Sequence, residues 1–424
     1  MHIKGILNSK LIRSASIYTA TDVINKAIPF LLLPVLTRYL TPEDYGIVSM
    51  FVVLVSFVTQ FIGVNIHGAI ARIYYDKDRV DIKAYITNCL FILLLSTTLV
   101  SLIYFSFSSI IAEITAIPMQ ILWVVIVVSF GDYLSRVVLT LWQVRVKPMQ
   151  FGSYLISKTI LNTSLSIWFV VLLGLTWQGR IFAKLITAAI FTIIGIIILW
   201  KSKWLKFTFN KSYVKHALGF GVPLVPHAVG AIIMTMTDRF FITTMVGIDT
   251  TGLYTVGYQI GMIINLFAVS FHKAYVPYLY ERLKRNVYVE KIQIVRMTYT
   301  FFAALLFLAL SLSLVAPWFL SFFVGREFVG SNNFVVWVAF GYAFQGMYLL
   351  VSNYILYAQK TQILTWITIS IAIFNIVLNY YFISNYGAIG AAQATTIIFF
   401  IQFVLTWTLA AKVQKMPWLI SSKN

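Results

Sequence analysis

Residues 181–200 read IFAKLITAAIFTIIGIIILW, after which the chain turns abruptly basic at Lys201, Lys203 and Lys206. One charge, Lys184, interrupts a run otherwise long enough to cross a bilayer core, which takes about 20 apolar residues as a helix. A helix is the required form, because hydrocarbon offers the backbone no water and every N–H and C=O must pair within its own segment. The run therefore reads as a transmembrane helix, stopped by a basic cluster at the interface.

Working outward, comparable stretches fall at about 15–40, 47–70, 85–107, 119–144, 152–174, 218–246, 252–273, 294–316, 331–358, 361–384 and 387–411. With 181–200 (about 180–200 at its ends) they make twelve. Composition agrees: 60% of the 424 residues are apolar and 11% charged, against about 25% charged in soluble domains. The mean hydropathy is +0.87. A soluble globule could not cover such a chain with a polar surface, which excludes the soluble-enzyme, DNA-binding and disordered classes. The single cysteine, Cys89, lies in an apolar run and allows no intramolecular disulfide. Residues Met1 to Ser14 are short and basic, with no small-residue cleavage site, so an uncleaved first span is expected.

Charge tests the count. The chain carries 32 Lys and Arg against 13 Asp and Glu, a formal charge of +19. With the amino terminus inside, the cytoplasmic segments gather Lys4, Lys10, Arg13, Arg72, Lys77, Arg79, Lys83, Arg145, Lys147, Lys201, Lys203, Lys206, Lys211 and Lys215. They continue with Arg282, Lys284, Arg285, Lys291, Arg296, Lys360, Lys412, Lys415 and Lys423. The outer loops hold only Arg38, Arg180 and Arg326. That asymmetry is the positive-inside pattern; it predicts an even number of spans and both termini in the cytoplasm. It also accounts for the basic excess without a nucleic-acid partner. The outer acids Glu43, Asp44, Glu113, Asp249 and Glu327 are scattered over short turns and form no acid–base pair. A membrane oligosaccharide polymerase, which needs a catalytic extramembrane segment, is disfavoured.

The halves repeat. LTRYLTPEDYGIV (Leu36–Val48) aligns without gaps on ITTMVGIDTTGLY (Ile242–Tyr254), and Lys147–Asn162 aligns on Lys360–Asn375 at nearly the same offset. Six-span copies in one orientation follow, as in secondary transporters whose site lies between halves. The expected division is an amino-terminal lobe at 1–200, a cytoplasmic linker at 201–217 and a carboxy-terminal lobe at 218–424. Pro29 and Pro34 in span one, and Pro223 and Pro226 at the start of span seven, are expected to interrupt those helices. Static packing and flexing during transport are both open.

Six basic residues lie inside spans: Lys26, Arg136, Lys158, Lys184, Arg239 and Lys273, with the acids Asp22, Asp132 and Asp238. Lys184 and Lys273 sit near span ends and read as snorkelling residues. Each of the deeper charges would cost about 2.5–3.5 kcal/mol against lipid, so they must meet one another or a wet cavity. Asp22 and Lys26, like Asp132 and Arg136, are one helical turn apart and share a face; Asp238 and Arg239 are adjacent and read as pointing to different faces. One reading is self-neutralising pairs. The other is a central cavity lined by spans one, four and seven, in which Lys26, Arg136 and Arg239 (with Lys158 and Asn25) bind an anionic ligand. Asp22, Asp132, Asp238 and His227 would then tune those cations or relay a proton. The surplus of intramembrane cations favours an anionic cargo over a cationic drug. Asn25, Asn65, Gln259, Asn265, Gln345, Asn353, Asn375 and Asn379 either line a lumen or hydrogen-bond between helices. No Walker loop, metal-ligand cluster, nucleophile elbow or dinucleotide fingerprint occurs. No cofactor is expected; the ion to consider is H+ or Na+, as a coupling partner.

FLLLPVLTRYLTPEDYG (Phe30–Gly46), Asp238-Arg239 followed by Gly252-Leu253-Tyr254, and Asn375-Ile-Val-Leu-Asn379 continuing to Gly387-Ala-Ile-Gly-Ala-Ala392 carry a resemblance. The chain resembles the bacterial polysaccharide-transport family that includes the O-antigen flippases, in the superfamily of the multidrug and toxin extruders. The resemblance implies an all-α integral membrane fold with twelve transmembrane helices. These form two six-helix lobes related by pseudo-two-fold symmetry around a V-shaped central cavity. It further implies export of undecaprenyl-pyrophosphate-linked oligosaccharide from the cytoplasmic to the periplasmic leaflet of the inner membrane. Such an exporter works alongside a polysaccharide polymerase and chain-length machinery. The alternatives are a cation-coupled multidrug exporter of the same fold, a peptidoglycan-precursor flippase and, less well supported, the polymerase.

Overall fold

The computed structural model describes residues 10–76 and 78–418, so the expectation about Met1–Ser14 lies largely outside the described residues. The first half contains α1 (Lys10–Tyr39), α2 (Pro42–Gly63), α3 (Ile66–Ile73), α4 (Ile82–Ser106), α5 (Ser108–Thr115) and α6 (Leu122–Val144). It continues with α7 (Pro148–Ile167), α8 (Trp177–Lys201) and α9 (Lys211–Gly221). Then come α10 (Val225–Met245), α11 (Ile248–Gly261), α12 (Ile263–Arg285), α13 (Tyr288–Phe323), α14 (Asn332–Tyr357), α15 (Thr361–Tyr386) and α16 (Ala388–Val413). Twelve helical segments among the described residues are long and apolar enough to span a membrane. With them the all-α expectation is met, and the protein is a multi-pass membrane protein.

The helix starts follow from local chemistry. Thr41 caps α2 with a capping box: its hydroxyl accepts from the Asp44 N–H at 3.1 Å, and the Asp44 carboxylate accepts from the Thr41 N–H at 3.1 Å. Pro42 takes the first helical position, where its missing N–H costs nothing. In the aligned second-half stretch the counterpart of Thr41 is Gly247, at φ 145°, and α11 begins at the next residue. The starts of α2 and α11 therefore fall in the same column of the repeat. So do those of α7, at Pro148, and α15, at Thr361. The weak sequence repeat is a repeat of helix starts.

Two expectations about spans change. The second ends at Gly63 and not near 70, because Val64 and Asn65 both adopt left-handed backbone (φ 44° and 55°) and the chain restarts as α3. α1 runs unbroken through Pro29 and Pro34, so these prolines do not interrupt it. Span seven is interrupted, by a single tight turn at Val222–Leu224 between α9 and α10.

The chain divides into two compact units, residues 1–232 and 233–424. The division falls inside α10, beyond the 201–217 stretch anticipated as a linker, because α9 packs against α3 and α4 of the first unit. In the first unit α6 is the packed centre, touching α2, α3 and α8, while α1 lies along α7. In the second, α14 takes the central place among α11, α12, α13 and α16. Its Ala339, Gly341, Ala343 and Gly346 present little side chain, which lets neighbouring backbones come close.

Candidate functional site

Two glycines bring the first unit's polar helices together. A Cβ on Gly152 of α7 would stand 2.6 Å from the Thr21 hydroxyl of α1, and one on Gly131 of α6 would stand 3.0 Å from the Ala188 carbonyl of α8. Small residues at both crossings leave the helices close enough for polar side chains between them to share one cavity.

Each wall is a helical stripe. On α6, Asp132, Ser135, Arg136 and Leu139 follow the i, i+3, i+4, i+7 spacing of one face; on α7, Leu155, Lys158, Thr159 and Asn162 do the same. Lys184 and Thr187 of α8 and Asn25 of α1 complete a cavity of about 430 Å³, within the usual size for a small-molecule site. Asp132 and Lys158 stand near the middle of their spans (Met119–Val144 and Pro148–Leu172).

The electrostatics are lopsided. Lys158 Nζ donates to Asp132 Oδ1 at 2.9 Å and to Ser135 Oγ at 2.9 Å. Tyr154 OH, 3.1 Å from Ser135 Oγ and 3.0 Å from the Phe191 carbonyl, fixes that serine from behind. Thr159 donates to Asn25 Oδ1, tying α7 to α1. Among the described residues, Arg136 and Lys184 have no ion-pair partner; Arg136 lies 5.9 Å from the Tyr133 ring centre. Three cations and one carboxylate line the cavity, so two positive charges remain uncompensated. Asn162 Oδ1 on α7 and the Thr187 hydroxyl on α8 are buried in the cavity lining without a hydrogen-bond partner.

Of the residues expected at the site, Asn25, Asp132, Arg136 and Lys158 are brought together. Asp132 and Arg136 do share a face, but the partner of Asp132 is Lys158 of the next span. Lys184, read as an interfacial lysine, lines the cavity and corrects that expectation. Lys26 and His227 are exposed and Asp22 is half-buried, and none of the three lines it.

Asp238 and Arg239 belong elsewhere. They were expected on different faces, yet Arg239 curls back to pair with Asp238 at 3.0 Å, and both are buried. Arg239 also donates to the Thr235 carbonyl at 3.0 Å and lies over the Tyr258 ring at 4.2 Å. Tyr254 OH donates to the other Asp238 oxygen at 2.5 Å, and the hydroxyls of Tyr258 and Tyr342 meet at 2.6 Å. Spacing alone misses this, because a long flexible guanidinium can fold onto its own neighbour. Sequence reasoning also passed over Ser135, Thr159, Asn162 and Thr187. For Thr159 and Asn162 the signal is in the sequence, as the polar side chains at i+1 and i+4 from Lys158 on α7. Asn353, one of the amides left open, hydrogen-bonds His272 at 3.0 Å and serves as interhelical glue.

The comparisons with known proteins agree with this architecture. "Lsg locus putative protein 1" of Haemophilus influenzae is 24% identical over 372 residues, covering 84% of this chain and 87% of that protein. The structure titled "Lipid II flippase MurJ, inward closed conformation" superposes with a TM-score of 0.73 at 16% identity, over 94% of this chain and 87% of that one. An outward-facing multidrug resistance MATE family transporter of the MOP superfamily superposes at 0.60 and 17% identity, with 96% of each chain covered. Both share the fold. The pattern of the family described as "Polysaccharide biosynthesis protein" matches residues 11–282, well over half of the sequence. The chain belongs to the polysaccharide biosynthesis protein family.

Proposed function

We propose that the protein is a flippase for a lipid-linked, pyrophosphate-bearing oligosaccharide, and that the phosphates enter the cavity of Arg136, Lys158 and Lys184. The observation that carries this reading is the charge of the cavity: two uncompensated cations inside membrane spans, where an unmatched charge costs about 2.5–3.5 kcal/mol against lipid. A doubly charged headgroup supplies the missing anions, while its polyprenyl chain remains in the bilayer. Family membership and the flippase among the structural neighbours support the same class of cargo.

Asn162 Oδ1 and Thr187 Oγ1 refine it. A fully ionised pyrophosphate has no hydrogen to donate to the Asn162 oxygen. A sugar hydroxyl or acetamido N–H beside the phosphate does, which supports a reading in which the first sugar of the repeat unit lies against Asn162 and Thr187. The cavity's basic surplus speaks against a cationic drug as cargo. Within this proposal the lipid is undecaprenyl and transport runs outward across the inner membrane by alternating access. Both termini are cytoplasmic, inward H+ or Na+ movement drives the cycle, and the polymerase and chain-length proteins receive the product.

The test is glycan export in cells lacking the endogenous flippase. Lys158→Ala and Lys184→Ala are expected to abolish surface glycan with the protein still inserted in the membrane, and Lys184→Arg is expected to retain it. Normal export by both alanine variants would remove the basis of the proposal.

A further inference from the structure

Between spans six and seven the chain crosses residues 202–210, SKWLKFTFN, in irregular structure. Polar bonds pin this segment to the start of α4. Lys206 N–H donates to Thr87 Oγ1 at 2.9 Å and its ammonium meets Asp81 at 2.7 Å. Asn88 donates to the Thr208 carbonyl at 2.8 Å and accepts from the Asn210 N–H at 2.9 Å. The lysine beside Asp81 holds that carboxyl below its ordinary range. The segment is thus a strap between the end of α8 and the start of α9, held against the start of α4.

Its outward residues are unusual for a water-facing loop. Phe207 is 89% exposed and Phe209 68%, and at the adjoining helix end Trp200 is 74% exposed. Lys201, Lys203, Lys211 and Lys215 stand on either side, all exposed. Tryptophan favours the bilayer interface, phenylalanine serves as the apolar side of interfacial segments, and clustered lysines there attract acidic headgroups. Pinning by Asn88 and Thr87 stops the rings from folding back into the protein core.

We propose that this strap is a binding surface for acidic phospholipid, with Phe207 and Phe209 in the acyl-chain boundary and the four lysines around anionic headgroups. The occupant is a lipid and not a protein, because the segment joins two spans and cannot leave the interface. This surface is separate from the cavity, and its failure would leave the flippase reading untouched.

The experiment places a fluorophore at Thr208→Cys in the full-length protein, Cys89 being buried, and reconstitutes it in phosphatidylcholine nanodiscs. Brominated phosphatidylglycerol is then compared with brominated phosphatidylcholine as quencher at equal mole fraction. The expected result is preferential quenching by the acidic lipid, corresponding to about fivefold local enrichment, the factor one lysine supplies near such a surface. The preference is expected to vanish in 1 M salt and in the Lys201→Gln, Lys203→Gln, Lys211→Gln, Lys215→Gln variant. Phe207→Ser with Phe209→Ser is expected to weaken quenching by both lipids. Equal quenching by the two lipids in the unsubstituted protein, a preference that survives salt and lysine removal, or no quenching by either would each overturn the proposal.

Discussion

The Lys158 ammonium bridges two neighbouring spans by donating at 2.9 Å to Asp132 on α6. The pair is partly open to the cavity, with 17% and 31% of the two side chains exposed. It is therefore a contact that an incoming anion can exchange, since a phosphate offers Lys158 the same oxygen chemistry that Asp132 does.

A double-mutant cycle separates the pair's structural role from its role toward ligand. Lys158→Met leaves Asp132 without its hydrogen-bonded cation and is expected to lower stability by about 1–3 kcal/mol, below the 3–5 kcal/mol of a fully buried pair because the site is partly open. Asp132→Asn is expected to cost less than that, and the double variant less than the sum. Thermal unfolding in detergent measures all four forms. Export should fail wherever Lys158 is absent and survive in part in Asp132→Asn. Additive stabilities would show that the two side chains do not act as a pair.

Arg239 is expected to behave differently from Lys158. Arg239→Ala leaves Asp238 buried with no counter-charge and should cost about 3–5 kcal/mol, seen as a lower unfolding midpoint and reduced membrane abundance. Asp238→Asn combined with Arg239→Met removes both charges and keeps an acceptor for Tyr254; it should recover most of the loss. An Arg239→Ala protein as stable as the parent would contradict the buried network described above.

Much of this was legible in the sequence, and the gaps have physical causes. Span number follows from the length a helix needs, and the repeat survived in Thr41–Pro42 and Gly247–Ile248 because helix starts tolerate few residue types. Asp132, Arg136 and Lys158 were visible because charge inside a span is rare. Lys184 is visible as a charge too, but four residues from the expected start of its span it reads as interfacial until neighbouring helices are seen to enclose it. Arg239 was misplaced because a rotamer, not a helical wheel, decided its partner. Thr187 carries no charge and stands out only once its hydrogen bonds can be counted.

Gly63 ends α2 beneath the Tyr133 ring, where an added Cβ would come within 1.8 Å of ring carbon. Tyr133 OH donates to the Gly63 carbonyl at 3.0 Å and lies 3.0 Å from His67 Nδ1. Gly63→Ala is expected to lower stability by about 1–3 kcal/mol through overpacking, with partial rescue by Tyr133→Leu. Unfolding midpoints of the three variants are the measurement. A Gly63→Ala protein with an unchanged midpoint would show that the contact relaxes freely.

His67 predicts an acid sensitivity. Burial first, and then the nearby Arg136 charge, lower its pKa to about 4. The folded state thus favours the neutral ring, so this contribution is fully present above the ordinary value near 6.5. It is lost progressively as pH falls from there to about 4, and flat below. His67→Gln should flatten the stability profile across that window by about 1–3 kcal/mol. A profile unchanged by the substitution would assign the acid sensitivity to other groups.

The repeat aligns Lys158 with Ile371, which is buried at 2% exposure. A duplicated chain that had kept the lysine in both copies would present two phosphate-binding sites. On the flippase reading, the lysine at this repeat position stands in one copy only, so a binding isotherm for a pyrophosphate-bearing lipid is expected to saturate at one per polypeptide.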